Sequence, residues 1–303
     1  MITQIYEIQT PQEAEKCIEL GVDQIGSVLL SQGDWRVEVL REVTRICERT
    51  DIKCSLIPLF QDGNTLYRAI DYYRPHFIHF CEGLTDGDGQ EIELDRFIEF
   101  QSNLKDKFPE IRIMRSIPVP EEGSSSGFPT IAIARALEPV SDIFLTDTWL
   151  GKEPVAGYIG ITGTTCDWEI AGELVLKSKI PVILAGGLSP ENVYDAVLKV
   201  FPFGADSCTQ TNLVAEDGNP IRFRKDFKKV EKFVKEVRSA EEQIEVKREE
   251  LEKNLKDLKE ELREREASLP AHSIRPHQLI VIEELEEEIA AKEKELEFLG
   301  GEP

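Results

Sequence analysis

Two short runs between residues 185 and 209 carry the residue types needed to hold an anion. In AGGLSPENV (185–193), Gly186 and Gly187 end an apolar run and put no side chain between backbone and ligand. Ser189 can cap a following helix, and Pro190 suits its first position. That order aims backbone N–H groups and a helix dipole at one spot, as a phosphate requires. The second run, GADSCT (204–209), adds Cys208 and the hydroxyl of Thr209. The plain alternative for the first run is a Gly-Gly turn before an ordinary capped helix. Asp147 closes the run DIFLTD, a place suited to proton transfer if that run is a barrel strand. The same carboxylate could instead cap a helix or pair with an arginine. Arg115 is either an inward-facing anion ligand or a paired core residue. The six cysteines are scattered without a C-x-x-C pair, and the four histidines show no ligand spacing, so no metal is expected.

These residues need a frame that brings strand ends together. Eight apolar or β-branched runs alternate with amphipathic stretches: 2–8, 23–30, 53–60, 76–81, 111–119, 142–147, 181–187 and 204–208. Residues 11–20, 37–49 and 190–200 are among the helical stretches between them. Strands alternating with helices imply parallel pairing and right-handed crossovers. Eight such units predict a closed (β/α)8 TIM barrel, whose chemistry sits at the C-terminal strand ends. An open doubly wound sheet is the alternative, and no G-x-G-x-x-G follows the first strand to support it. On this frame the Ser-rich loop 121–127 and the long connection from Thr148 to Trp168 both lie on the functional face.

Charge bounds the partners. The chain carries 36 Lys+Arg against 58 Asp+Glu, a net charge of −22. Such a balance repels phosphate backbones, so no nucleic-acid or anionic-membrane binding is expected. A small anionic ligand stays open to local N–H groups. With no signal peptide and no apolar run near 18 residues, the expectation is a cytoplasmic protein with reduced thiols.

The first of these segments, QIYEIQTPQEAEKCIELGVDQIG, together with FLTDTW, GITGTTCDW, PVILAGGLSPENVYDAV, FPFGADSCTQTN and RKDFKKVEKFV, follows a known order and spacing. Over residues 1–238 the chain resembles the phosphoribosylanthranilate isomerase family. The resemblance implies an Amadori rearrangement of an aminoaldose phosphate to an aminoketose, without cofactor. It implies that Asp147 is the general acid on the ribose ring oxygen. It places Arg36, in GDWR, as the clamp of the substrate carboxylate; otherwise Arg36 is a surface arginine at a helix start. Gly163 and Asp167 fall in the family's G-G-T-G-x-x-x-D-W loop as substrate-binding positions, although Asp167 and Trp168 fit the anchoring of a helix better. Gly186, Gly187, Cys208 and Thr209 become the phosphate cradle, with Gln210 where the family has a glycine.

The family's basic cysteine corresponds to Tyr6. A thiol ionises near pH 8.5 and a phenol near about 10, so Tyr6 needs either a strongly lowered pKa or another role. Glu7 is its neighbour, and strand alternation predicts that the two cannot both face the interior. The family's Q-L-H-G strand end reads here as His79, Phe80, Cys81 and Glu82.

Residues 239–303 differ from the rest. The stretch 241–303 holds 10 Lys+Arg against 20 Asp+Glu. Val237, Ile244, Leu251 and Leu258 recur every seven residues, with Leu255 and Leu262 beside them, and a second seam joins Ile282, Leu285, Ile289, Leu296 and Leu299. Pro270 and Pro276 separate the two. This predicts an antiparallel, coiled-coil-like helical hairpin that associates with a second copy or another protein. Three functions follow: a phosphoribosylanthranilate isomerase-like sugar-phosphate isomerase of the tryptophan-biosynthesis type; a non-catalytic phosphate-binding barrel serving as sensor or scaffold through the hairpin; or a lyase or epimerase using Glu7 or Glu82.

Overall fold

The structure is a computed structural model that describes residues 1–123, 127–269 and 276–299. Strands and helices alternate: β1 (Ile2–Ile5), α1 (Pro11–Glu19), β2 (Gln24–Leu29), α2 (Glu38–Glu48), β3 (Lys53–Pro58), α3 (Gly63–Tyr73), β4 (Phe77–Phe80), α4 (Asp95–Lys107), β5 (Arg112–Pro120), α5 (Thr130–Leu137), β6 (Ile143–Trp149), α6 (Trp168–Lys177), β7 (Val182–Leu184), α7 (Val193–Val200) and β8 (Gly204–Ser207). The eight strands close into a parallel barrel, β1 through β8 in order, with Ile5 of β1 in register with Ser207 of β8. All six residues of β2 are buried, as expected for strands covered on both faces. The helices cover the outside with one apolar stripe each; α2 buries Leu40, Val43, Thr44 and Cys47, the i, i+3, i+4, i+7 set.

Two elements follow β8 that the sequence periodicity does not announce. Strands β9 (Asn212–Val214) and β10 (Pro220–Lys225) form a small antiparallel ribbon before α8 (Phe227–Ala267). The first turns of α8 bury Val230, Phe233 and Val237.

Contacts divide the chain into two units, Met1–Ser239 and Ala240–Glu302. In the second unit α9 (Pro276–Leu299) returns antiparallel to the end of α8: Lys247 reaches Glu295 at 2.9 Å, and Arg248 donates to the Leu299 carbonyl at 3.2 Å. Leu251, Leu255, Ile282, Leu285 and Ile289 are buried along the seam, whereas Leu279 and Ile280 stay exposed. The expected break is present: α8 ends at Ala267 and α9 begins on Pro276, where the missing N–H is harmless. Pro270 and residues 124–126 of the Ser-rich loop lie outside the described residues. No helix among the described residues is long and apolar enough to cross a membrane.

Candidate active site

The loops at the C-terminal ends of the barrel strands surround a cavity. Asp147 stands on its wall, two residues before the end of β6 rather than at it, in register with Pro118 of β5. The long connection after β6 folds back over it. A Cβ on Gly160 would sit 2.5 Å from the Asp147 carboxylate oxygens, so only a glycine there lets the loop roof the carboxyl. The roof leaves Asp147 half-buried at the cavity wall, and that burial, with the nearby Glu153 charge, raises its pKa to about 7 against an opposing hydrogen bond from Ser116. A carboxyl that keeps a proton near neutrality is suited to act as a general acid.

Tyr6 and Glu7 overturn the alternation rule. Strand β1 stops at Ile5, and Glu7 adopts φ 61°, a left-handed conformation that a side chain rarely takes. This kink turns both residues to the same cavity. The Tyr6 ring lies flat over Gly26, where any Cβ would collide with it at 2.1 Å. Its hydroxyl is hydrogen-bonded to His79 Nδ1 and, at 2.6 Å, to Ser55 Oγ. Burial pushes the phenol well above its ordinary value and holds His79 neutral, at about 3, with Arg115 adding to the effect on His79. The neutral His79 is hydrogen-bonded through Nε2 to Ser116 Oγ at 2.8 Å, and Ser116 donates to Asp147 at 3.3 Å. The phenol is therefore an anchored part of a buried hydrogen-bond chain. Tyr6→Phe is expected to cost about 1–3 kcal/mol in urea unfolding, because Ser55 and His79 lose a partner. It should leave turnover within a few-fold of wild type. A fall of a hundredfold or more without loss of stability would return the phenol to the chemistry.

Glu7 is 2% exposed, and its carboxylate collects Arg222 Nε at 2.7 Å, Asn212 Nδ2 at 3.3 Å and the Phe223 N–H at 3.3 Å. All three partners come from the β9–β10 ribbon, which no sequence signal tied to the site. Asp206, inside the GADSCT run but unassigned from sequence, also lines the cavity. Burial raises its pKa to about 8, against a 3.0 Å hydrogen bond from Gln4.

The loops after β6, β7 and β8 meet around Gly163, Gly186, Gly187, Cys208 and Thr209, all of which line the cavity. A Cβ on Gly187 (φ 60°) would lie 2.4 Å from the Thr164 carbonyl carbon, and one on Gly186 (φ 90°) 2.4 Å from Thr148 Oγ1. Gln210 Nε2 donates to the Gly163 carbonyl at 2.7 Å and ties the last loop to the first. The backbone N–H groups of Gly163, Gly187, Thr209 and Gln210 take part in none of the loop and turn hydrogen bonds among the described residues. Ser189 does not cap α7, which begins three residues after Pro190; its hydroxyl closes a turn to the Glu191 N–H, and its own N–H donates to Asn192 Oδ1 at 2.7 Å. The helix starts later because Ser189 to Asn192 form this turn first.

Two expected site residues, Arg36 and Asp167, stand elsewhere, and Arg115, left open by the sequence, takes the second of its two readings. Arg36 is exposed, 4.7 Å above the Tyr72 ring and 3.4 Å from Glu38, and does not line the cavity. Asp167 accepts from the Glu169 and Ile170 N–H groups and is the cap of α6, so the substrate-binding reading of that residue gives way to helix anchoring. Arg115 is a core residue paired to Glu82 at 2.6 Å.

The family model for N-(5'phosphoribosyl)anthranilate (PRA) isomerase matches residues 99–236. The N-(5'-phosphoribosyl)anthranilate isomerase of Methanosarcina acetivorans is 33% identical over 132 residues, 43% of this chain and 52% of that protein, so the chain matches about half the length of that relative. N-(5'-phosphoribosyl)anthranilate isomerase 1 of Methanosarcina mazei is 32% identical over 240 residues, 76% of this chain and 92% of that protein. A solved phosphoribosyl anthranilate isomerase, in complex with reduced 1-(o-carboxyphenylamino)-1-deoxyribulose 5-phosphate, superposes with a TM-score of 0.55 over 79% of this chain and 100% of its own, at 18% identity. That last likeness carries the fold.

Proposed function

The chain belongs to the phosphoribosylanthranilate isomerase family, and on that premise we propose that it catalyses the family's aldose–ketose isomerisation of an anilino-sugar phosphate. The observation that supports this reading most is Asp147, a carboxyl roofed by Gly160 and held partly protonated at neutral pH on the wall of the cavity. In the proposed reaction Asp147 gives its proton to the ribose ring oxygen as the C1′–O bond breaks and the anilino nitrogen forms an iminium. A base then removes the C2′ proton, and its electron pair neutralises the iminium to give the enolamine, which tautomerises to the ketone. The phenol of Tyr6 is engaged in the core, so we assign the base to Glu7, the carboxylate that the kink after β1 turns to the cavity. The N–H groups of Gly163, Gly187 and Thr209 take the phosphate, with Gly186 and Cys208 shaping the same wall.

Turnover of N-(5'-phosphoribosyl)anthranilate by the purified protein, and rescue of a tryptophan auxotroph that lacks this isomerase, are the expected results. Glu7→Gln should remove turnover while keeping the binding of a product analogue. A second reading, a barrel that binds a sugar phosphate without turning it over, is favoured by one observation: a bulky, anchored tyrosine stands at the family's base position. Analogue binding without turnover or rescue would establish that reading instead.

A further inference from the structure

We propose that Arg222, carried to the cavity by the β9–β10 ribbon, is a direct ligand of the substrate's phosphate monoester. This rests on the sugar-phosphate reading above and adds a residue outside the strand-end loops. The first argument is charge. The cavity wall carries three carboxyl groups, on Glu7, Asp147 and Asp206, within a chain of net charge −22. Among the described residues lining it, Arg222 has the one permanently positive side chain; His79, the other basic group there, is kept neutral by burial. A phosphate dianion entering this wall meets repulsion from Glu7 and has one cation to offset it.

The second argument is geometry. Arg222 spends Nε and Nη2 on a single oxygen, Glu7 Oε1, at 2.7 and 2.6 Å. Nη2 is buried and makes no aligned hydrogen bond. The guanidinium is thus fixed from its Nε–Nη2 side against Glu7, and Nη1, which has no hydrogen-bond partner among the described residues, is the donor left over. A permanently charged N–H donor held in place by a second contact is suited to a phosphate oxygen. The third argument is backbone strain. Glu7 holds φ 61° with its carboxylate against three groups of the ribbon, and conformations of this kind are retained where surrounding structure fixes them, often at ligand clamps. Finally, Gln210 brings a side chain across to Gly163, between the loops that meet there. A cation from the ribbon makes up for the narrower backbone cradle.

Titration calorimetry with inorganic phosphate, and separately with anthranilate, tests the assignment on the full chain. Arg222→Ala and Arg222→Gln should each weaken phosphate by about tenfold or more, the scale of one charge-assisted contact. Arg224→Ala, which removes the same charge from an exposed position on the same strand, should leave phosphate affinity unchanged. Arg222→Gln keeps a donor for Glu7 and covers the case in which the alanine variant fails to fold. Anthranilate affinity should not move in any of them. If Arg222→Gln binds phosphate like Arg224→Ala while Gly187→Asp abolishes binding, the Arg222 assignment is wrong and the sugar-phosphate reading stands. If Arg222→Gln loses anthranilate and keeps phosphate, the arginine reads a carboxylate and the proposal falls. If the wild type binds no phosphate at millimolar concentration, both readings fall.

Discussion

Turnover by Asp147→Asn should fall about 10²–10⁴-fold, the usual worth of a general acid, with product-analogue affinity nearly unchanged. Asparagine keeps the shape and can still accept from Ser116, but it has no proton to give to the ring oxygen. The wild-type pH profile follows from the same group. Its pKa lies at about 7, raised chiefly by burial under the Gly160 roof, so the proton-carrying form is lost as pH rises through 7. The rate kcat/KM should decline above that pH on the alkaline side, and that limb should be absent from the residual activity of the asparagine variant. Steady-state rates across pH 5–9 provide the measurement. A variant within threefold of wild type would remove Asp147 from the chemistry.

The second large effect is on stability, at Asp206. Its folded pKa is raised to about 8 from an ordinary 3.8, chiefly by burial and further by the charge of Asp147. The sign runs against the common carboxylate case. The native state holds this proton more tightly than the unfolded chain, so stability is full below pH 4 and is lost as pH rises through about 8. Asp206→Asn has no charge to bury and keeps an oxygen for the Gln4 amide. At about 1.4 kcal/mol per pKa unit, the variant should exceed wild type by a few kcal/mol at pH 8.5 and match it near pH 4. Urea midpoints at the two pH values decide it: equal gains at both would point to packing rather than to proton linkage.

The barrel was legible because each strand is a short apolar run with turn residues on both sides, and parallel strands covered on both faces need little else. The glycines of the cradle were legible for a similar local reason, since Gly186 and Gly187 sit where backbone must pass close to Thr148 and Thr164. Arg36 follows from family position alone, and its surroundings put it on Tyr72, whereas the helix anchoring that Asp167 fits better is legible in the D-W pair, since Asp167 satisfies the first N–H groups of α6. Glu7 was misjudged because alternation assumes extended backbone, and one left-handed residue ends that assumption. Arg222 was invisible because ribbon strands of three and six residues carry no periodic apolar pattern, and their link to β1 spans more than two hundred positions. Asp206 lay within a quoted motif; what its burial does to its proton needs the packed barrel around it.

The kink at Glu7 also sets a conflict between durability and use. A glycine would hold φ 61° without the roughly 1–2 kcal/mol penalty that a side chain meets in the left-handed region. Glycine alone would leave Arg222 without its buried partner, a loss larger than the strain relieved, so a screen that scores heat resistance gains only by replacing both ends of the pair together. Such a screen would drift toward a tougher barrel stripped of the carboxylate that reaches its cavity from the first strand. For laboratory evolution of this scaffold, position 7 is a residue to hold fixed while the rest of the chain is allowed to vary.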